Sequence, residues 1–469
     1  MNSGANKDTV IADFQQWCSE NDVWLDDRLE IIYSPDADIH IRTKNQSISA
    51  STTVSYIPKR SILSTKSCSL AETLPQDAEY THGLGAQLML ALALYKEQLL
   101  GSKSRWHGYL QSLPDFVDLP MLWQDGCKDA KEAVTWLVGT EVEKEMSVGS
   151  LLARARRFYE AMSRQFLPQD ASVGGFTKAF TLVSSRAFIV DAYHGLSMVP
   201  IADAFNHSQD NHVHIETDFD VCPLCGALYE CPHDDGPKLE THVGQNHYDS
   251  CYEMVVNSPI PRHSEVFNTY GETLGNAALL ARYGFVLDVN ENDCITWSME
   301  ELTDDADLAA TFQLAAYEWE SEKSLRPRCE SSNLVYYSES FTVDGDGKVS
   351  HRLWLLCFLT YQRNAPSSPS PMSVLEAQIA CEAGMDVDAS LIPAVSAIAS
   401  AVSTLCCTRK AKIKKLSDLG PDADIGEILD GLSDDRPRTR LAVSYVLTEI
   451  SILECCLAEW SDLVLPHPS

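Results

Sequence analysis

The chain has 469 residues, 45% hydrophobic and 22% charged, which is enough for two or three cored domains and excludes the disordered classes. Its formal net charge of −31 would repel phosphate, so no direct nucleic-acid partner is expected; it suits a basic protein partner, or solubility alone. Fifteen cysteines behind a polar Met1–Val10 start, with no basic and apolar leader, point to reduced thiols in a cytoplasmic or nuclear protein.

Residues 29–64 hold short β-rich runs: Ile31-Ile32-Tyr33, Ile39-His40-Ile41, and Thr52 to Ile57 ahead of Pro58. From Gly85 to about Gln165 the apolar residues of LGAQLMLALALYKEQLL, AVTWLV and LLARARRFYEAM recur at three- and four-residue spacings, which predicts helices. Strands are predicted again at Phe180-Thr181-Leu182-Val183, at Met198-Val199-Pro200-Ile201 and at Tyr252 to Val256. Beyond Met299 helical spacing dominates, interrupted by a turn at Asp344-Gly345-Asp346-Gly347 and by the linker NAPSSPSPM at 364–372. Two apolar runs bear on membranes. Leu84 to Tyr95 is too short to span a bilayer and Leu391 to Cys407 is broken by Pro393 and serines, so no membrane segment is expected. There is no internal repeat, and two strand sets separated by helices imply one mixed domain, because either set alone would leave long edges unpaired.

Two segments carry the chemistry: SMVPIADAFNHS at 197–208 and EVFNTYGETLGNAALLARYGFVL at 265–287. Together they resemble the closing motifs of SET-domain methyltransferases, in the branch typified by the Rubisco large-subunit lysine methyltransferase. The likeness extends to ALYKEQLLGSKSRWHGYLQSLP (93–114), WLVGTEVEKE (136–145), SSRAF (184–188) and the VSYIPKRSILS strand and turn. A lone Asn-His-Ser means nothing. The weight lies in its combination with a Tyr-Gly at 270–271, a Tyr-Gly-Phe thirteen residues on, and the flanking helices.

The resemblance implies an α+β fold, a SET-domain β-fold split by a helical insertion and followed by a mostly α-helical C-terminal substrate-binding domain. The expected boundaries are 1–85 for the N-terminal segment and first SET portion, 86–178 for the insertion, 179–298 for the second SET portion and 299–469 for the C-terminal domain. It also implies transfer of a methyl group from S-adenosylmethionine to a protein lysine by a monomeric enzyme. A ribosomal protein, elongation factor or histone-like tail is the expected basic substrate, with the translation machinery the first choice.

Such a transfer is an in-line displacement that needs alignment, exclusion of water and a deprotonated amine, since a free lysine has a pKa of about 10.4. A tyrosine hydroxyl orients the amine and contacts the polarised methyl, the role that the resemblance gives to Tyr270. It likewise assigns Asn206, His207 and Tyr283 to the donor, and Arg186, Asp203 and Phe285 to the substrate channel.

Two departures stand out. The family's glycine-rich donor loop corresponds to residues 42–50, which hold no glycine, with Asn45 the candidate for a positive φ. That keeps open a catalytically silent binding module, and a histidine methyltransferase of the same branch is the other alternative. Second, an insertion at 219–251 carries Cys222-x-x-Cys225 and Cys231-x-His233, a spacing that suits a structural zinc, with His242, His247 and Cys251 as spare ligands. A redox dithiol at Cys222 and Cys225 would need a βαβ context that is missing.

Overall fold

A computed structural model describes residues 7–464, apart from 35–37, 76, 148–150, 219, 229–230, 234–250, 337–340, 366–368 and 420–423. The chain forms two compact units, 1–119 with 149–272 and 120–148 with 273–469.

In the first unit four antiparallel strands make the main sheet, in the order Trp24–Leu25, Thr53–Pro58, Cys251–Val256, Val213–Glu216. A hairpin of Leu29–Ser34 and Asp38–Thr43, and a small sheet of Leu63–Ser64, Leu196–Met198 and Ala187–Ile189, complete the β-structure together with one short parallel pair described below. The apolar run predicted as helix is Gly83–Leu100, with Leu88 through Tyr95 all buried. Near-continuous burial, rather than an amphipathic stripe, explains why this helix reads as apolar all round.

The predicted strand at Phe180–Val183 is instead part of a helix, Val173–Arg186. The Ser172 side chain caps it by accepting from Gly175 N, and Phe176, Ala179, Phe180 and Val183 fall on one buried face at helical spacing. Gly175 is needed there: a Cβ would sit 2.4 Å from the Tyr95 hydroxyl, which accepts from Ser172 N at 2.9 Å. Of the run predicted at Met198–Ile201 only Leu196–Met198 is strand, because Ile201 turns the chain with φ 71°.

The second unit is mostly helical, but it contains a four-stranded sheet that the sequence reading did not foresee: Cys294–Trp297, Phe341–Asp344, Val349–Ser350, Leu334–Val335. The turn expected at 344–347 is the corner between its second and third strands, closed by Gly347 N donating to Asp344 O at 2.9 Å. Residues 120–148 belong to this unit and not with the rest of the 86–178 helical stretch, and the unit resumes at 273 rather than 299. The reason is packing: Trp123, Ala133, Trp136 and Leu137 share a core with Ala442, Val443 and Val446 of the last helix.

Ile392–Lys412 and Pro437–Ser461 are long and apolar enough to cross a membrane by length and composition. In this unit they share one core, through Val395, Ile398 and Val402 on the first and Ile452, Leu453 and Cys456 on the second. They also bury Arg409 and Glu449, charged groups that suit a paired protein core better than lipid.

Candidate active site

The short parallel pair is the centre of the first unit's site. Phe267 faces Asn206 and Asn268 faces His207, so the two motifs, 61 residues apart in the chain at this register, become adjacent strands. Residues just past the first strand add backbone bonds to its partner, with Ser208 N donating to Asn268 O at 3.0 Å and His212 N to Phe267 O at 2.8 Å.

This register brings Asn206, His207 and Tyr270 together. Tyr270 N donates to His207 Nδ1 at 3.1 Å, and the two rings stack with centroids 5.2 Å apart. The tyrosine hydroxyl lies 3.4 Å from Phe205 O, a long bond from a half-buried ring. Because Nδ1 accepts from a backbone N–H, the proton of the neutral imidazole is fixed on Nε2. Burial pushes the His207 imidazole below its ordinary value, so the ring stays neutral. Asn206 Nδ2 donates to Glu265 Oε1 at 2.7 Å, which sets the orientation of the amide.

Upstream, Ile201 is held in the left-handed region although it is β-branched, the kind of backbone strain that persists only where surroundings over-determine it. The turn it makes presents Asp203, whose main-chain carbonyl accepts from Arg186 Nη1 at 2.8 Å and whose carboxyl accepts from the Tyr109 hydroxyl at 2.6 Å. Arg186 and Asp203 therefore do meet, but one lone pair of that carbonyl is already engaged by Arg186. Burial, opposed by the Arg186 charge, lifts the Asp203 carboxyl to about 6.

The 42–50 stretch runs beside the same motif. Thr43 N donates to Ser264 O at 2.9 Å, Thr43 Oγ1 to Pro261 O at 2.6 Å and His263 N to Lys44 O at 3.0 Å, while Ile48 bridges Ile260. Asn45 does not take a positive φ; among the described non-glycine residues those that do are Asp22, Asp38, Ser51, Ile201 and His263. Antiparallel backbone pairing, ending on Ser51 and His263, replaces the glycine turn.

Tyr283 and Phe285 lie in the second unit, their ring centroids 6.4 Å apart at the end of the helix Asn276–Tyr283. Gly284 between them takes φ 82° and caps that helix. The residue missed by sequence reading is Asn276: its amide donates to Leu287 O and to Asp293 Oδ2 and accepts from Leu287 N, which ties the Tyr-Gly-Phe turn to Asp293. Its position after Gly275 as the first helical residue was the available signal.

In the insertion, the side chains of Cys222, Cys225, Cys231 and His233 converge, with all four ligand atoms within 4.8 Å of one another. Cys251 is buried in its strand and is not in this group, and His242 and His247 lie outside the described residues.

No family model matches the chain. Ribosomal lysine N-methyltransferase 3 of Saccharomyces cerevisiae is 32% identical over 163 residues, 25% of this chain and 29% of that protein. N-lysine methyltransferase SETD6 of Homo sapiens is 26% identical over 55% of this chain and 50% of its own length. The chain thus spans 29% to 62% of the length of curated relatives such as these. Among solved structures, the SET domain of LSMT bound to lysine and AdoHcy superposes on 97% of this chain and 92% of that one, with a TM-score of 0.60 at 17% identity. Rubisco LSMT bound to AdoMet gives a TM-score of 0.58 at 18% identity. The α+β fold of these SET-domain structures, expected from the two motifs, is the fold of this chain.

Proposed function

We propose that this chain is an S-adenosylmethionine-dependent protein-lysine N-methyltransferase acting on a basic protein of the translation machinery in the cytoplasm or nucleus. The observation that carries the reading is Tyr270, locked by its own backbone N–H onto a neutral His207 and stacked on that ring. The residues fit the donor. A cationic sulfonium would be repelled by an imidazolium, and the buried His207 is held in its uncharged form. Asn206, oriented by Glu265, offers a polar amide beside it.

The donor supplies an electrophilic methyl group. The protein's part is positional: Asn206 and His207 would hold the donor, and the Tyr270 hydroxyl, with the Phe205 carbonyl 3.4 Å away, would orient the incoming amine. A substrate lysine must arrive neutral, and the apolar residues around the strand pair, such as Phe205 and Val266, disfavour its ammonium form. The names of the yeast and human relatives support a lysine target, and the former a ribosomal one. The net charge of −31 supports a basic partner.

The test is incubation of the full chain with tritiated S-adenosylmethionine and cell extract, followed by mass spectrometry of labelled proteins. A methylated lysine on a ribosomal protein or translation factor, absent with Tyr270→Phe, is expected. A label on histidine would move the chain to the other activity of this branch, and no label in any extract would overturn the enzyme reading.

A further inference from the structure

The insertion after the Val213–Glu216 strand opens with a tight turn at Cys222-Pro223-Leu224-Cys225-Gly226. Gly226 N donates to Cys222 O at 2.7 Å, and Cys222 N donates back to Ala227 O at 2.8 Å. Cys231 and His233 then return to the same point. His233 Nδ1 lies 3.6 Å from Cys231 Sγ and 3.8 Å from Cys222 Sγ. A tetrahedral zinc with Zn–S near 2.3 Å and Zn–N near 2.05 Å sets a sulfur–nitrogen edge of about 3.6 Å. Three sulfurs and one imidazole within 4.8 Å of one another form a complete soft-ligand set with no position left open.

The turn has a fixed seat. Gly226 has φ 74°, and a Cβ on it would lie 2.8 Å from Tyr193 Cδ1, so this corner rests directly on the Tyr193 ring. Tyr193 N and His194 N both donate to Asp191 Oδ1, at 3.0 and 2.6 Å. The other oxygen of Asp191 accepts from the Tyr252 hydroxyl at 2.6 Å and has Lys59 Nζ at 3.6 Å. The seat is therefore a buried carboxylate that joins the 190–195 turn to Lys59, just past the Thr53–Pro58 strand, and to the Cys251–Val256 strand.

We propose that Cys222, Cys225, Cys231 and His233 bind one structural zinc ion, which clamps the insertion onto Tyr193. A closed four-ligand site supplies no open position for substrate, so its role is to order the segment.

Zinc content of the purified full chain, measured by mass spectrometry of the metal, tests this directly. One zinc per chain is expected, falling to background in Cys225→Ser and in His233→Ala but retained in Cys407→Ser, which alters an exposed thiol in the second unit. Replacement by cobalt should give the sulfur-to-metal charge-transfer and tetrahedral d–d bands of thiolate ligation in the unaltered sequence, a readout that survives if the variants do not fold. A zinc-free chain from zinc-supplemented cells, a Cys222–Cys225 disulfide, or zinc retained in both ligand variants would overturn the proposal. None of these readings depends on methyl transfer, so loss of the activity proposed above would leave the metal result standing.

Discussion

Around Tyr270 the first unit gathers an uncharged imidazole and an amide that donates to the Glu265 carboxylate, whereas around Arg409 the second unit buries a guanidinium between two carboxylates. Arg409 Nη2 lies 2.8 Å from Glu141 Oε1 and 3.8 Å from Glu449 Oε2, with Arg409 only 3% exposed. Glu141 also accepts from Thr296 N and Oγ1, and Glu449 from Tyr445 at 2.7 Å. Near-complete burial of paired opposite charges marks this second cluster as structural. In the first cluster Asn206 and Tyr270 are half-buried and the buried histidine is kept uncharged. Perturbed groups are thus an unreliable guide to function here: the stronger charge cluster is the one that holds helices together.

The largest expected effect breaks the structural side of that contrast. Arg409→Met leaves Glu449 buried without its cation and Glu141 with only Lys144, 3.1 Å from its Oε1, and should destabilise the second unit by about 3–5 kcal/mol. Burial already lifts the Glu449 carboxyl to about 7 against the pull of Arg409. A raised folded value gives stability that is present below the ordinary carboxyl range and lost as pH rises through about 7. Removing Arg409 raises it further, so the deficit should be greatest at pH 8 and shrink toward pH 5 in urea unfolding. Adding Glu449→Gln should recover part of the loss at pH 8, and an equal deficit at both pH values would show that the charges are not the cause.

Tyr270→Phe tests the other side. It should lower kcat for methyl transfer by at least about a hundredfold while changing stability by less than about 0.5 kcal/mol, because the pin to His207 is made by the backbone N–H, which phenylalanine keeps. Loss of stability comparable to that of Arg409→Met would mean that Tyr270 is a packing residue.

These two clusters differ equally in how far the sequence reveals them. Asn206-His207 and Tyr270-Gly271 are contiguous motifs, and strand pairing had only to bring two short segments into register. Arg409 and Glu141 are 268 residues apart, and no local pattern marks either as half of a pair. The same holds for 120–148, whose helical spacing is plain but whose partner, the helix Pro437–Ser461, is reached only through tertiary packing. The strands of the second unit's sheet run for two to four residues, too short to show an alternation.

Asp203 sits between the two kinds of environment, a buried carboxyl beside the neutral cluster. Its folded value is raised to about 6 from an ordinary 3.8, with burial the largest cause. Wild-type stability from this group is therefore present below pH 4 and lost as pH rises through about 6. Asp203→Asn keeps an acceptor for the Tyr109 hydroxyl but does not titrate. The stability difference between the two should move in favour of the variant by about 1–3 kcal/mol between pH 4 and 7, read from chemical unfolding at each pH. A flat difference would place the carboxyl in contact with water.

The smallest effect concerns the segment where sequence patterning misled. Phe180-Thr181-Leu182-Val183 is rich in residues that favour strands, yet it is helical, and local propensity is overridden by a start signal eight residues upstream and a buried face. Ser172 supplies that signal through its hydroxyl, which accepts from Gly175 N at 3.1 Å. Ser172→Ala should cost about 1 kcal/mol, and Ser172→Asp should restore most of it, since a carboxylate caps the same N–H and favours the helix N-terminus. Both changes lie on an exposed residue. If the cap matters only for this helix, KM for the methyl donor should be unchanged in either variant even where the unfolding midpoint moves. A shift in KM with no shift in stability would instead couple the Val173–Arg186 helix, which ends on Arg186 and its bond to Asp203, to the Asn206–Tyr270 cluster.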